Sequence, residues 1–257
     1  MAATSNPATY ADMDGLPMAD STVQFEWIVY IKKGLDWLFS DDPQVFVGGN
    51  LLWYPIEGDP KRRQAPDVMV VFGRPKRNRG SYQQWLEADI PPQVVFEVVS
   101  YGNTIPEMTC KFQFYDRHGV EEYYIYDPDR ASLGGFIRQD GEFEAIDSMD
   151  GWVSPYLGVG FGLQDGRLEL VRPNGQPFET YEQLAARAEE ERERADQESL
   201  HNEAAQEQIL QLEEQLNQQR AEVQRLRSHL KLLGVDPDQP PAPESTSELP
   251  ASEPSHE

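Results

Sequence analysis

The sequence contains a single cysteine, Cys110, among 257 residues. One thiol cannot build an intrachain disulfide framework, and the composition fits a reducing, cytoplasmic compartment. Long apolar runs are missing as well: none approaches the ~20 residues needed to span a bilayer. Met1 to Asp20 lacks a basic segment followed by an apolar one, so no secretory signal is expected there. Basic residues are scarce, 22 Lys and Arg against 45 Asp and Glu, for a formal net charge of −23. Phosphate contact relies on Lys and Arg, so this balance argues against nucleic-acid binding spread over the whole chain. What is present is enough apolar and aromatic content for one sizeable packed domain with extensions.

The charge is unevenly placed. Residues 1–178 hold 15 basic against 26 acidic residues, and residues 179–257 hold 7 against 19. The last third thus carries about half of the acidic excess. Lys61, Arg62, Arg63, Arg74, Lys76, Arg77 and Arg79 instead cluster within nineteen positions. They flank an apolar run that follows Asp67.

Residues 1–20 read as a flexible polar arm. Ser21 and Thr22 suit the N-cap of a helix running to about Phe39, with Ile28, Ile31, Leu35 and Leu38 as its core stripe. Val45–Val47, Leu51–Tyr54 and Val68–Phe72 have strand character. Gly73 to Ile90 reads as a basic loop holding a short helix near Tyr82–Glu87. The strand Gln93–Ser100 follows, then a helix from Pro106 to His118. Pro106 suits the first turn of that helix and Gly119 its C′ position. Val120–Tyr126 is the next strand. Strand, helix and strand at this spacing form a crossover, so the two strands should be parallel. Asp140-Gly141 and Asp165-Gly166 mark two hairpins. The expected fold class is α+β, a mixed sheet flanked by helices, over residues 21–179.

At Thr180 the character changes. Thr180-Tyr181-Glu182-Gln183 has the form of a capping box, and no Pro or Gly interrupts the chain until Gly234. Ile209, Leu212, Leu216, Val223, Leu226, Leu230 and Leu233 alternate by three and four, with Gln219 at one step. That is a heptad seam, so residues 180–234 read as a long coiled-coil helix. A homodimer or other self-association through residues 181–233 is expected. Residues 235–257, rich in Pro, Ser and Glu, read as a disordered acidic tail.

Glu97 carries the chemistry. Alternation along its strand places Val95, Glu97 and Val99 on one face, and a bare carboxylate among β-branched residues is costly unless compensated. Asp67 opens the preceding apolar strand. If the two strands are neighbours, both carboxylates can address one hard cation such as Mg²⁺ or Mn²⁺. Lys111 lies at the edge of the apolar stripe of the following helix, with Glu107 four residues earlier on the same face.

Pro66-Asp67, Glu97-Val98-Val99-Ser100, Lys111 with Tyr115, Gly119-Val120 and Glu122–Asp127-Pro128 together resemble the Uma-two family. That family consists of restriction-endonuclease-like proteins of the PD-(D/E)XK nuclease superfamily, one branch of which carries a similar helical extension. The resemblance covers about residues 20–180. It implies a metal-dependent endonuclease hydrolysing DNA, with Asp67 and Glu97 as metal ligands. In the wider superfamily a lysine stands two positions after the acid, where this chain has Val99. Within the family Lys111 matches a lysine supplied by the following helix. Glu107 stands where the family usually has Asp, and Glu26 is a possible further acid. Arg62, Arg63, Arg74, Lys76 and Arg77 are candidates for holding flanking phosphates.

Each residue also has a plainer use. Asp67 can start a strand. Glu97 can pair with an arginine on the sheet. Lys111 can bridge to Glu107, and the basic cluster can be a solvated loop. His118 can serve as a partner for its helix dipole, and Cys110 as a small core filler. The alternative function is an inactive or weakly active nuclease-like scaffold that works as a coiled-coil interaction protein.

Overall fold

A computed structural model describes residues 10–11, 21–234 and 236. The expected flexible arm, apart from Tyr10 and Ala11, and the expected tail, apart from Asp236, lie outside the described residues. The chain divides into two units, Met1–Ala186 and Arg187–Glu257.

In the first unit, helix α1 (Thr22–Leu38) begins where the Ser21 side chain accepts from the Gln24 N–H at 3.1 Å. This satisfies one of the donors that every helix start leaves open. Ile28, Ile31 and Leu35 form its buried stripe. Strands β1 (Val45–Gly49), β2 (Trp53–Tyr54), β3 (Val68–Phe72), β4 (Tyr82–Gln83) and β5 (Val94–Val98) follow. Helix α2 (Ile105–Arg117) opens on a capping box between Thr104 and Glu107 with Pro106 in its first turn. It closes at Gly119, whose φ of +83° suits a residue without Cβ. Strands β6 (Glu122–Asp127), β7 (Ser132–Gln139), β8 (Glu142–Ala145), β9 (Gly160–Gln164) and β10 (Arg167–Val171) complete the unit.

Six strands form one mixed sheet in the order β1-β3-β5-β6-β7-β8. The β5–β6 pair is parallel, as its helical crossover requires, and the other pairs of this sheet are antiparallel. One face carries Val68, Val70, Phe96, Val98, Tyr124 and Tyr126, which pack against α1 and the β9–β10 hairpin. The other face carries Met69, Val71, Val95 and Tyr123, which pack with Tyr115 of α2 and with Trp53 and Tyr82. With both faces covered, the central strands are apolar on both sides. The α+β class, the mixed sheet and a long C-terminal helix are therefore what the chain forms.

Three expectations are corrected. Cys110 is exposed on α2 rather than packed in the core, because the buried face of that helix is taken by Phe112 and Tyr115. His118 does not act as a charged helix-end partner. Its ring packs against Phe114 at 4.6 Å and Trp53 at 6.1 Å. Burial, with Arg62 and Arg117 nearby, lowers its pKa and favours the neutral ring. The segment read as a short helix near Tyr82–Glu87 is strand β4 followed by a single 3₁₀ turn, Gln84–Leu86.

Helix α3 (Tyr181–Leu232) runs for 52 residues. Thr180 and Gln183 exchange side-chain and backbone hydrogen bonds at 2.8 and 3.3 Å, closing the capping box. None of the residues of α3 is buried. Among the described residues no helix is long and apolar enough to cross a membrane.

Candidate active site

Strands β3 and β5 are antiparallel with Val68 opposite Phe96 and Met69 opposite Val95. One more step of this register sets Asp67 opposite Glu97, and directly opposed residues share a face. That face is the one covered by α2. Both side chains are buried, Asp67 at 5% and Glu97 at 2% exposure. Asp67 Oδ2 accepts from the Val98 N–H at 2.7 Å, and its carboxyl is within hydrogen-bonding reach of Glu97.

Lys111 reaches this pair from α2. Its Nζ lies 2.9 Å from Glu97 Oε2 and 4.0 Å from Glu107 Oε1. The bridge to Glu107 therefore exists but is the looser of the two. Tyr115, one helical turn later, donates its hydroxyl to Glu97 Oε1. The short side-chain path from helix to strand is set by sequence: Lys111 and Tyr115 are four apart, on the helix face turned to the sheet.

Two acidic groups meet one ammonium here. Burial first, and then the charge of Glu97, push the Asp67 carboxyl well above its usual range, against the opposing pull of Lys111 and the Val98 N–H. Burial works against the Lys111 ammonium, but Glu97 and Asp67 outweigh it and hold the lysine charged. Tyr115 and Tyr123 are raised by burial and then by Glu97, so both phenols stay protonated. The Tyr123 hydroxyl is buried, without a hydrogen-bond partner among the described residues, and within the field of both carboxylates. Glu122 provides the contrast. It is fully buried on the opposite face, and three donors satisfy it: Tyr124 OH at 3.0 Å, the Tyr156 N–H at 2.9 Å and the Ser154 hydroxyl. Such a carboxylate is complete without a cation; Asp67 and Glu97 together accept from the Val98 N–H, Lys111 and Tyr115.

A cleft of about 420 Å³ between the end of β5 and α2 is lined in part by Val99, Asn103, Met108, Phe112, Ile125 and Arg130, and not by Asp67, Glu97 or Lys111. Val99 lies two residues beyond Glu97, and Ile125 is the β6 partner of Glu97. Among the described residues no group of three or more His, Cys, Asp and Glu side chains gathers as a metal cluster.

The remaining sequence candidates sit elsewhere. Glu107 is half-exposed and serves the α2 cap, accepting from Asn103 Nδ2 at 3.0 Å and the Thr104 N–H at 3.5 Å. Glu26 is exposed on α1. Two residues earlier, Gln24 is buried and donates Nε2 to the Val98 carbonyl at 2.8 Å, a link to the site strand that the sequence did not announce. Arg74, Arg77 and Arg79 converge on buried Glu87 at 2.9, 2.6 and 2.8 Å. Lys76 donates to the Phe39 carbonyl. Arg62 pairs with Asp59 at 3.2 Å, and Arg63 reaches the Tyr54 hydroxyl at 3.5 Å. Tyr123 was missed by sequence reasoning, having only a strand signal, and Tyr115, named in the family pattern, had no role assigned to its hydroxyl.

Comparison with known proteins places this arrangement in context. No curated protein matches the chain. A solved structure from Anabaena variabilis ATCC 29413, described as "a putative nuclease belonging to DUF820", is similar at 15% identity. The match covers 55% of this chain and 78% of that one, with a TM-score of 0.41. The model of the Uma2 family, described as "Putative restriction endonuclease", matches residues 26–170. That span is more than half of the chain and contains Asp67, Glu97 and Lys111, and on it the chain belongs to the Uma2 family.

Proposed function

We propose that this protein is a metal-dependent endonuclease that hydrolyses DNA phosphodiester bonds in the cytoplasm. The observation that carries this reading is the buried pair of carboxyl groups with one lysine bonded to Glu97. Two acidic groups share a single fixed cation, which pushes Asp67 towards its neutral form, and an orphaned tyrosine hydroxyl lies in their field. The donor set fits a hard divalent ion, with Asp67 and Glu97 as ligands. Mg²⁺ in particular is often held by one or two carboxylates while keeping several waters. When bound, Mg²⁺ or Mn²⁺ would polarise a phosphoryl oxygen and lower the pKa of a water.

The chain's own residues divide the remaining work. Lys111 is held charged, so at neutral pH it is a donor and not a base. It orients the attacking water and stabilises negative charge developing on the phosphate. Tyr115 fixes the Glu97 carboxylate from the side opposite Lys111. Arg62 and Arg77, whose side chains are 41% and 56% exposed, remain accessible to a phosphate backbone, together with Arg63, Arg74 and Lys76 at the same segment.

Incubation of supercoiled plasmid with the full chain and Mg²⁺ or Mn²⁺ tests the reading. Nicking is expected for the wild type, a loss of at least about 100-fold for Asp67→Asn and Glu97→Gln, and a smaller loss for Lys111→Met. No nicking by the wild type, or nicking that survives both carboxylate substitutions, supports instead the inactive scaffold.

A further inference from the structure

We infer that α3 pairs with a second copy of itself as a parallel, in-register, two-stranded coiled coil over residues 209–233. The apolar seam residues are exposed in the single chain, from 39% at Leu230 to 74% at Leu233, a stripe broken by Gln219 and left uncovered by the described residues. Assigned to heptads, Ile209, Leu216, Val223 and Leu230 occupy a positions, and Leu212, Gln219, Leu226 and Leu233 occupy d positions. Two of the four a residues are β-branched, Ile209 and Val223, and three of the four d residues are Leu, a combination that leans towards two strands.

Gln219 selects the alignment. In the parallel, in-register pair it meets its own copy, and two amides can satisfy each other. The antiparallel alignment that buries the same apolar residues sets Gln219 against Val223 of the other helix and leaves each amide unpaired, a costly outcome in an apolar layer. The flanking charges agree. In the parallel pair Glu222, at g, faces Arg227 of the other copy, at the following e position, and this happens twice. In the antiparallel pair two attractive Glu213–Arg227 contacts are offset by Arg220 facing Arg220 and Glu222 facing Glu222, which repel. The parallel arrangement also brings both Thr180 ends to the same end of the coil.

The full chain at micromolar concentration should sediment at twice its 29.3 kDa mass. A monomer, trimer or tetramer overturns the proposal. Orientation is read in a Cys110→Ser background carrying Leu233→Cys: the parallel coil forms an interchain disulfide under mild oxidation, and failure to crosslink in a chain that still dimerises overturns it. Glu222→Arg should raise the dimer dissociation constant about tenfold, and adding Arg227→Glu should restore it. An unchanged constant for Glu222→Arg points to the antiparallel coil and rejects the parallel one. Arg and Glu have similar helix propensity, so unaltered helicity in the circular dichroism spectrum separates this effect from loss of the helix.

Discussion

Asp67 shows at the level of one residue what it costs to bury a carboxyl beside a second one. Burial and the neighbouring Glu97 raise its folded-state pKa above the ordinary value of 3.8. A carboxyl shifted in this direction contributes full stability below its unfolded pKa and loses it as pH rises through the folded one. Asp67→Asn keeps an oxygen for the Val98 N–H and removes the ionisation. In the presence of a chelator it should therefore melt above the wild type at pH 8, by about 2–4 °C, the shift that ~1 kcal/mol produces in a chain of this size. The difference should vanish below about pH 4. Added Mn²⁺ should then raise the wild-type melting temperature and leave the variant unmoved. A wild type that is the more stable at pH 8 without metal would show that the pair is already satisfied. Asp67, Glu97 and Lys111 were legible in sequence because each breaks the local pattern: an acid at the mouth of an apolar run, an acid inside one, a lysine at a stripe edge. Tyr123 and the hydroxyl contact of Tyr115 were not. A tyrosine on a strand or an apolar helix face fits the core, and only the strand register reveals what its hydroxyl meets.

Among elements, the segment between β3 and β5 shows a second use for a basic cluster. Of its four basic residues, Arg74, Lys76, Arg77 and Arg79, the three arginines close on Glu87, whose side chain is 4% exposed. Arg79 also stacks its guanidinium 4.0 Å over the Phe46 ring. Burial opposes ionisation of Glu87, but the hydrogen bonds from Arg79, Arg77 and Arg74 prevail and lower its pKa from 4.5 to about 2. A depressed carboxylate contributes stability above its unfolded pKa and loses it as pH falls towards the folded one. Glu87→Gln is therefore expected to cost about 3 kcal/mol at pH 7 by stranding three cations. Chemical denaturation should show the gap from wild type narrowing between about pH 4.5 and pH 2. Gly34 on α1 poses a different contest. In an exposed helix Gly→Ala gains roughly 1 kcal/mol. Here a Cβ would overlap the Phe178 ring, and overpacking costs about 1–3 kcal/mol. Gly34→Ala should thus lower the midpoint of denaturation, and a raised midpoint would mean that Phe178 moves aside freely. The helices, hairpins and parallel crossover were legible because caps, glycines and spacing are local. The two-residue pairing of Trp53–Tyr54 with Tyr82–Gln83 was not, since its partners lie in separate segments and its hydrogen bonds leave no periodic trace.

At the scale of the whole molecule, the two units differ in what holds them. The first closes its sheet on both faces with its own elements: α1 and the β9–β10 hairpin on one side, α2 and the short β2–β4 pair on the other. None of the residues of α3 is buried. A helix that buries nothing in the single chain owes its persistence to capping, to its helix-favouring composition and to whatever covers its seam. Ending the chain at Ala186 should then leave the melting temperature of the α+β unit within about 2 °C, because no core contact is lost, while the particle mass falls to that of a monomer. The metal-dependent shift expected at Asp67 should survive in this shortened chain, since Asp67, Glu97 and Lys111 all lie before residue 186. Scanning calorimetry with light scattering distinguishes the outcomes. A drop of more than about 5 °C, worth ~1 kcal/mol or more in a domain of this size, would show that the helix also braces the domain. A mass that stays twice that of the shortened chain would place self-association within the α+β unit instead of along the heptad seam.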